Sequence, residues 1–236
     1  MDEYIGYIIC GVLVFITLII AVVAQAKVHS AYSKYHKVAS PLDMTGAELA
    51  RQLAMQEGMA LTVRSCSGTL TDHFNPSDNS VNISADNYNG KSVAAHAIVA
   101  HEVGHAMQKQ EDYLPYKFRQ TTVKISNFIS KMLVPIVIIG IMFNFFWIAG
   151  VGEILIYAYV GIYAVSFFVS LATLPVEFNA SKRAKQSLQA MGVTDQAADG
   201  VSDVLNAAAM TYVASTLVNL AYLLRFLALL RLFSRD

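Results

Sequence analysis

The feature that most limits how this chain can fold is an uncharged, largely apolar run near its start, at residues 4–24. About 20 such residues are enough for an α-helix to cross the hydrocarbon core of a bilayer. A cleaved signal peptide is the competing interpretation, but the start is acidic, the run is too long and no suitable cleavage site follows it. We therefore expect residues 1–26 to form an N-terminal transmembrane helix.

Composition extends this expectation to the whole chain. Of its 236 residues 55% are hydrophobic and only 14% are charged, whereas soluble proteins carry about 25% charged residues. The charged residues fall in blocks that leave long apolar stretches between them. The formal net charge is +0, so no basic surface suggests a nucleic-acid partner. The sequence predicts an integral membrane protein whose surroundings include the lipid bilayer.

Further apolar stretches follow in the second half of the chain. Residues 132–149 and 154–174 are candidate spans with only a short connection between them, which predicts a transmembrane helical hairpin within residues 126–175. Residues 207–236 form a C-terminal apolar helix with arginines near its end. That helix either spans the bilayer or lies associated with it, so the total is three or four transmembrane helices.

Between the first span and the hairpin lies a polar region, residues 27–125, that has the features of an ordinary α+β domain. Thr45 and Glu48 form a capping box that opens a helix. Two alternating segments, residues 69–74 and 80–84, flank turn-forming residues and predict a β-hairpin. Lysines and histidines follow the first span directly, so the positive-inside rule places this region in the cytoplasm.

The candidate metal-binding and catalytic residues of this region lie in a His-Glu-x-x-His pattern at residues 101–105. Residues four apart lie on one face of a helix, so His101 and His105 can bind the same metal ion. The pattern is typical of zinc metallopeptidases, in which the intervening carboxylate, here Glu102, acts as the general base. The alternative is a polar patch on an exposed helix, but the flanking residues are apolar. His96, five residues before His101, is expected to point to another side of the helix, and Asp72 is expected to fix the hairpin.

A carboxylate comes directly after the hairpin, at Glu177. In the predicted topology it returns to the same side of the membrane as His101 and His105, as a third metal ligand must. An equally good interpretation from the residues alone is a carboxylate favoured by the dipole at the start of a helix. Residues 179–191 and 195–206 are predicted to be two short helices that are separated at Gly192.

Several segments together resemble one family, the bacterial YugP-like membrane-bound neutral zinc metallopeptidases. The matching segments are Leu70–Pro76, Tyr88–Gly90, Ala100–Ala106, Leu174–Ser181 and Ala208–Ala214. The resemblance covers essentially the whole chain, and the family is distantly similar to the HtpX and CAAX-prenyl membrane proteases. It implies a mainly α membrane protein in which a zincin-like α+β catalytic core with a small β-hairpin or sheet is fused to the transmembrane helices.

The resemblance also implies roles for individual residues. Glu177 matches the third zinc ligand of a gluzincin-type site, which makes residues 176–206 the third-ligand helix and a following helical segment. Ser181 stands where the HtpX-type proteins carry an aspartate that orients a ligand histidine, and Asn179 could brace the turn of Glu177. Tyr212 and His73 lie in matched segments and are candidates for stabilising the oxyanion.

These observations predict a zinc-dependent metalloendopeptidase in the bacterial plasma membrane, multi-pass, with its active site facing the cytoplasm. Its substrates would be proteins or peptides, chiefly membrane or juxtamembrane segments. The alternative is a non-catalytic metal-binding membrane scaffold or partner subunit. Glu102 argues against that alternative, because a purely structural zinc site has no use for a base beside its ligands.

Overall fold

The computed structural model describes residues 2–145 and 151–233. Most of these residues are helical, and the strands form one small sheet. In chain order the elements are α1 (Asp2–Tyr35), α2 (Gly46–Gln56), β1 (Thr62–Cys66), β2 (His73–Asn75), β3 (Ser80–Ser84), α3 (Ala85–Asn89), α4 (Val93–Gln110), α5 (Leu114–Phe145), α6 (Val151–Ala190) and α7 (Asp195–Phe233).

Three helical stretches among the described residues are long and apolar enough to cross a membrane: Tyr4–Tyr35, Tyr157–Ala190 and Asp195–Leu232. With the small sheet, they confirm the predicted class, a mainly α membrane protein. The predicted span at 132–149 and the start of the hairpin connection fall partly on residues 146–150, which lie outside the described residues.

The last two helices are longer than the sequence analysis predicts. α6 continues from the second span of the predicted hairpin through Pro175 into the expected helix at 179–191, and α7 joins the expected helices at 195–206 and 207–236 into one. A proline removes a single backbone hydrogen bond, which long membrane helices tolerate. The break between the two helices lies at Gly192, as expected, and its φ of 97° explains why a glycine is there. At about 1.5 Å per residue, the 40 residues of α6 extend roughly twice the hydrocarbon thickness.

The chain divides into two compact units. The first consists of Met1–Val23, Phe118–Thr173 and Tyr212–Asp236. Inside it, α6 and α7 pack through stacked aromatic rings, with 4.9 Å between the ring centroids of Tyr159 and Phe226. The amide of Asn219 on α7 donates to the hydroxyl oxygen of Ser170 on α6 at 3.3 Å. Aromatic packing and an interhelical hydrogen bond are the interactions expected between apolar helices in lipid.

The second unit, Ala24–Lys117 and Leu174–Thr211, contains the sheet. Its strand order is β1-β3-β2: β2 and β3 form the predicted antiparallel hairpin, and β1 lies parallel to β3. The middle strand buries Val81 and Ile83 completely, against α2 and α4. The predicted capping box at the start of α2 is present. Asp72 accepts hydrogen bonds from the backbone N–H and the hydroxyl of Ser84, so it holds the hairpin as expected.

Within this unit α4 and α6 pack very closely at Gly104. A Cβ added there would lie 2.9 Å from the carbonyl oxygen of Ala180, closer than a real Cβ approaches such an atom. Only glycine therefore permits the observed separation of the two helices. Since Gly104 lies inside the His-Glu-x-x-His pattern, this close contact also sets the distance between that pattern and the segment of α6 that carries Glu177.

Candidate metal centre

Two turns of α4 and one of α6 bring three candidate ligands together. The ligand atoms of His101, His105 and Glu177 all lie within 4.8 Å of one another. The Nε2 atom of His101 is 3.2 Å from Glu177 Oε2, and that of His105 is 3.6 Å from the same oxygen. Glu177 is only 1% exposed. Burying a carboxylate this deeply is unfavourable without cationic partners, and a metal ion would supply one.

The donor set fits a zinc ion. On each imidazole the second ring nitrogen already has a partner: His101 Nδ1 lies 3.2 Å from Ser181 Oγ, and His105 Nδ1 lies 3.0 Å from Gln108 Oε1. Both Nε2 atoms are thus directed at the carboxylate of Glu177. Two imidazole nitrogens and one carboxylate oxygen suit zinc and leave a coordination position for water.

Glu102 lies next to this group without belonging to it. Its Oε2 atom accepts a 2.9 Å hydrogen bond from the backbone N–H of Phe74 on β2. Burial raises the pKa of Glu102 to about 7, and the negative charge of Glu177 acts in the same direction, while His101 and the Phe74 amide oppose the shift. A carboxyl group with a pKa near neutrality can both accept and return a proton.

The remaining candidates from the sequence occupy different places. His73 is exposed at the start of β2, with Nδ1 2.8 Å from the carbonyl oxygen of Thr71, and it is not one of the three clustered residues. Asn179 accepts hydrogen bonds from Gln108 and Arg183, so it braces the neighbourhood of His105. Tyr212 lies on α7 in the first unit, whereas the metal group lies in the second. Its role and that of His73 stay predictions.

His96 is buried in the second unit, with Nδ1 2.8 Å from Ser40 Oγ and Nε2 2.9 Å from the carbonyl oxygen of Met44. Desolvation lowers its pKa, so it is neutral at pH 7. As the helical spacing predicts, it is not part of the metal group.

Two residues near the metal group were not predicted from the sequence. Gln108 is completely buried and contacts His105 directly. Its position three residues after His105, on the same helix face, was the available signal. Tyr116 is also buried, with its ring centroid 6.4 Å from that of His105. Nothing in the local sequence marks Tyr116, because its proximity depends on how α5 packs.

The chain is similar to known proteins over most of its length. A family model described as "Putative neutral zinc metallopeptidase" matches residues 10–231. The "Putative membrane protease YugP" of Bacillus subtilis (strain 168) is 40% identical over 205 residues, which cover 86% of this chain and 88% of that protein. No solved structure matches the chain significantly.

Proposed function

We propose that this chain, which belongs to the neutral zinc metallopeptidase family, is an integral membrane metalloendopeptidase of the gluzincin type. The observation that carries the proposal is the convergence of His101 Nε2, His105 Nε2 and the Glu177 carboxylate, with Glu102 beside them. His101, His105 and Glu177 would hold the Zn²⁺ ion that the family implies. When bound, zinc lowers the pKa of a water molecule and polarises the scissile carbonyl group.

The remaining chemistry falls to residues of the chain. Glu102 removes the proton of the attacking water and delivers it to the nitrogen of the leaving amine. The backbone N–H of Phe74 holds Glu102 Oε2 and so sets the direction in which the carboxylate acts. His73 and Tyr212 are the candidates for stabilising the oxyanion, by residue type and by their place in the matched segments.

The setting of the site suggests its substrates. Glu177 lies on α6, the same continuous helix that provides a candidate membrane span, and this favours a site close to the membrane boundary. We propose that the enzyme cleaves membrane or juxtamembrane segments of other proteins. The basic residues that directly follow the first apolar run favour a cytoplasmic active site by the positive-inside rule.

The test uses the purified full-length chain in detergent micelles, with zinc content and cleavage of an unstructured protein as readouts. Glu102→Gln should retain zinc and lose at least about 100-fold in cleavage, because general-base catalysis contributes about that much or more. Glu57→Gln, at an exposed carboxylate after α2, is the matched control and should behave as wild type. If Glu102→Gln cleaves as fast as wild type, the assigned base is wrong. If the wild-type protein binds zinc and cleaves nothing, the scaffold alternative replaces the peptidase.

A further inference from the structure

Gln108 occupies an unusual position for a polar side chain. It is completely buried on α4, one turn beyond His105, and it makes three short polar contacts with other described residues. Its Nε2 atom donates to the carbonyl oxygen of Val176 at 2.8 Å and to Asn179 Oδ1 at 2.9 Å. Its Oε1 atom lies 3.0 Å from His105 Nδ1. One side chain therefore joins a candidate ligand on α4 to the backbone next to Glu177 on α6.

The orientation of the Gln108 amide follows from its partners. A backbone carbonyl oxygen can only accept, so the end of Gln108 that faces Val176 must be the NH₂ group. The second partner agrees, because Asn179 Oδ1 also faces Arg183 Nε, which can only donate, at 2.8 Å. The amide oxygen of Gln108 must then face His105. Since an amide oxygen only accepts, Nδ1 of His105 carries the proton.

This network has a direct consequence for the metal. A neutral imidazole with its proton on Nδ1 has an unprotonated Nε2, and Nε2 is the nitrogen that faces Glu177. We propose that Gln108 is a positioning residue that holds His105 in the zinc-binding tautomer and ties it to the segment of α6 that carries the third ligand. The inference rests on the proposed role of His105 as a zinc ligand.

Three substitutions test this in the full-length chain. Gln108→Met keeps the length of the side chain but removes both the acceptor and the donors. Gln108→Glu keeps an acceptor for His105 Nδ1 and loses the donors to Val176 and Asn179. Gln110→Met is the matched control, because Gln110 is an exposed glutamine on the same helix whose amide donates to a backbone carbonyl, that of Glu57, at 3.0 Å.

The measurements are the zinc dissociation constant, from competition with a chromophoric chelator, and the visible absorption of the Co²⁺-substituted protein. Gln108→Met should weaken zinc binding by about 10- to 100-fold, the range found when the hydrogen-bond partner of a metal-bound histidine is lost. Its Co²⁺ spectrum should differ from that of wild type. Gln108→Glu should bind zinc within about threefold of wild type or more tightly, because a carboxylate makes the ring a stronger ligand. Gln110→Met should match wild type in both readouts.

A purely structural role predicts a different pattern. Gln108→Glu loses both donors and buries a charge, so it should then be at least as impaired in zinc binding as Gln108→Met. That result, or wild-type zinc affinity in Gln108→Met, overturns the inference. If Gln108→Glu does not fold, weaker zinc binding with a changed Co²⁺ spectrum in Gln108→Met, and in Gln110→Met neither change, supports the inference, whereas wild-type values in Gln108→Met overturn it. The expected pattern of zinc affinities in a protein that cleaves no peptide would support this inference and contradict the proposed function, so the two can fail separately.

Discussion

The two histidines of the candidate metal centre lie one turn apart on the same helix, yet their surroundings differ. His105 contacts a buried amide whose orientation is set by a backbone carbonyl and by a side-chain network. His101 contacts the Oγ atom of Ser181 at 3.2 Å. A hydroxyl can donate or accept as its hydrogen rotates, whereas an amide oxygen only accepts. The surroundings of His105 therefore determine its tautomer, and the hydroxyl of Ser181 alone does not determine that of His101.

Solvent exposure does not account for this difference. The side chain of His101 is 13% exposed and that of His105 is 9% exposed, which are similar values. Both rings also face the same oxygen of Glu177. What differs is the partner of the second ring nitrogen. We infer that His105 is the preorganised ligand of the pair, and that His101 is held chiefly by the metal and by Glu177 once zinc is bound.

The largest expected effect comes from removing the residue that both rings share. Glu177→Gln retains the size of the side chain but loses the negative charge that faces both Nε2 atoms. We expect zinc affinity to fall by more than about 100-fold, beyond the range for losing an outer hydrogen-bond partner. The zinc dissociation constant measures it. Full zinc occupancy in this variant would remove Glu177 from the ligand set and leave the two histidines without a common partner.

Gly104→Ala should affect both rings through the packing of α4 against α6. The new Cβ would meet the backbone of Ala180, so the helices must separate. We expect a loss of about 1–3 kcal/mol in stability, the usual effect of overpacking, together with weaker zinc binding. The matched control is Gly161→Ala, at a helical glycine with open space around it. Thermal unfolding with and without zinc measures both effects, and equal stability of the two variants would contradict the close-packing argument.

Much of this centre follows from local sequence. The spacing of His101, Glu102 and His105 predicts that they lie together on one helix. Ser92, just before α4, is a typical N-cap residue and favours a helix at this place. The role of Glu177 could not be assigned from the residues alone, and only the family resemblance favoured a third metal ligand. Glu177 lies beside His101 only because the fold brings together positions that are 76 residues apart in the chain.

Gln108 and the continuity of α6 could not be predicted in the same way. The spacing of three residues places Gln108 beside His105, but its other partners, Val176 and Asn179, lie 68 and 71 residues away in the chain. A proline usually ends or kinks a helix, but α6 continues through Pro175. In both cases the deciding interaction is tertiary packing, which local patterns do not encode. Asn179 was expected to brace the turn of Glu177, and this role stays a prediction; its Oδ1 atom accepts hydrogen bonds from Gln108 and Arg183.

Ser181→Ala tests whether the hydroxyl group holds His101 less firmly than the Gln108 amide holds His105. If the hydroxyl contributes less to holding His101 than the amide contributes to holding His105, zinc affinity should fall by only about 10-fold, the lower end of the range for such partners. The dissociation constant should be measured beside that of Gln108→Met under the same conditions. A larger loss in Ser181→Ala than in Gln108→Met would reverse the order that we infer from the two surroundings.

Ser181→Asp tests the same position in the opposite direction. A carboxylate accepts from His101 Nδ1 and would fix its tautomer, so zinc should bind up to about 10-fold more tightly. The new charge lies one helical turn from Glu177, and like charges four residues apart destabilise a helix by about 0.2–0.5 kcal/mol. We therefore expect a lower melting temperature without zinc and a larger stabilisation when zinc is added. Weaker zinc binding than wild type would show that His101 does not need an acceptor at this nitrogen.

The smallest effect is expected at the outer end of the network that holds His105. Arg183 donates to Asn179 Oδ1 and pairs with Glu111 through two short hydrogen bonds. Arg183→Met removes these contacts but leaves the carbonyl of Val176, which is enough to orient the Gln108 amide. Zinc affinity should change by less than about threefold, and stability by no more than about 1 kcal/mol, as for ion pairs near the surface. A loss of zinc affinity as large as that of Gln108→Met would mean that the ion pair of Arg183 with Glu111, acting through Asn179, orients the Gln108 amide. The preorganisation of His105 would then depend on residues at the surface of the protein.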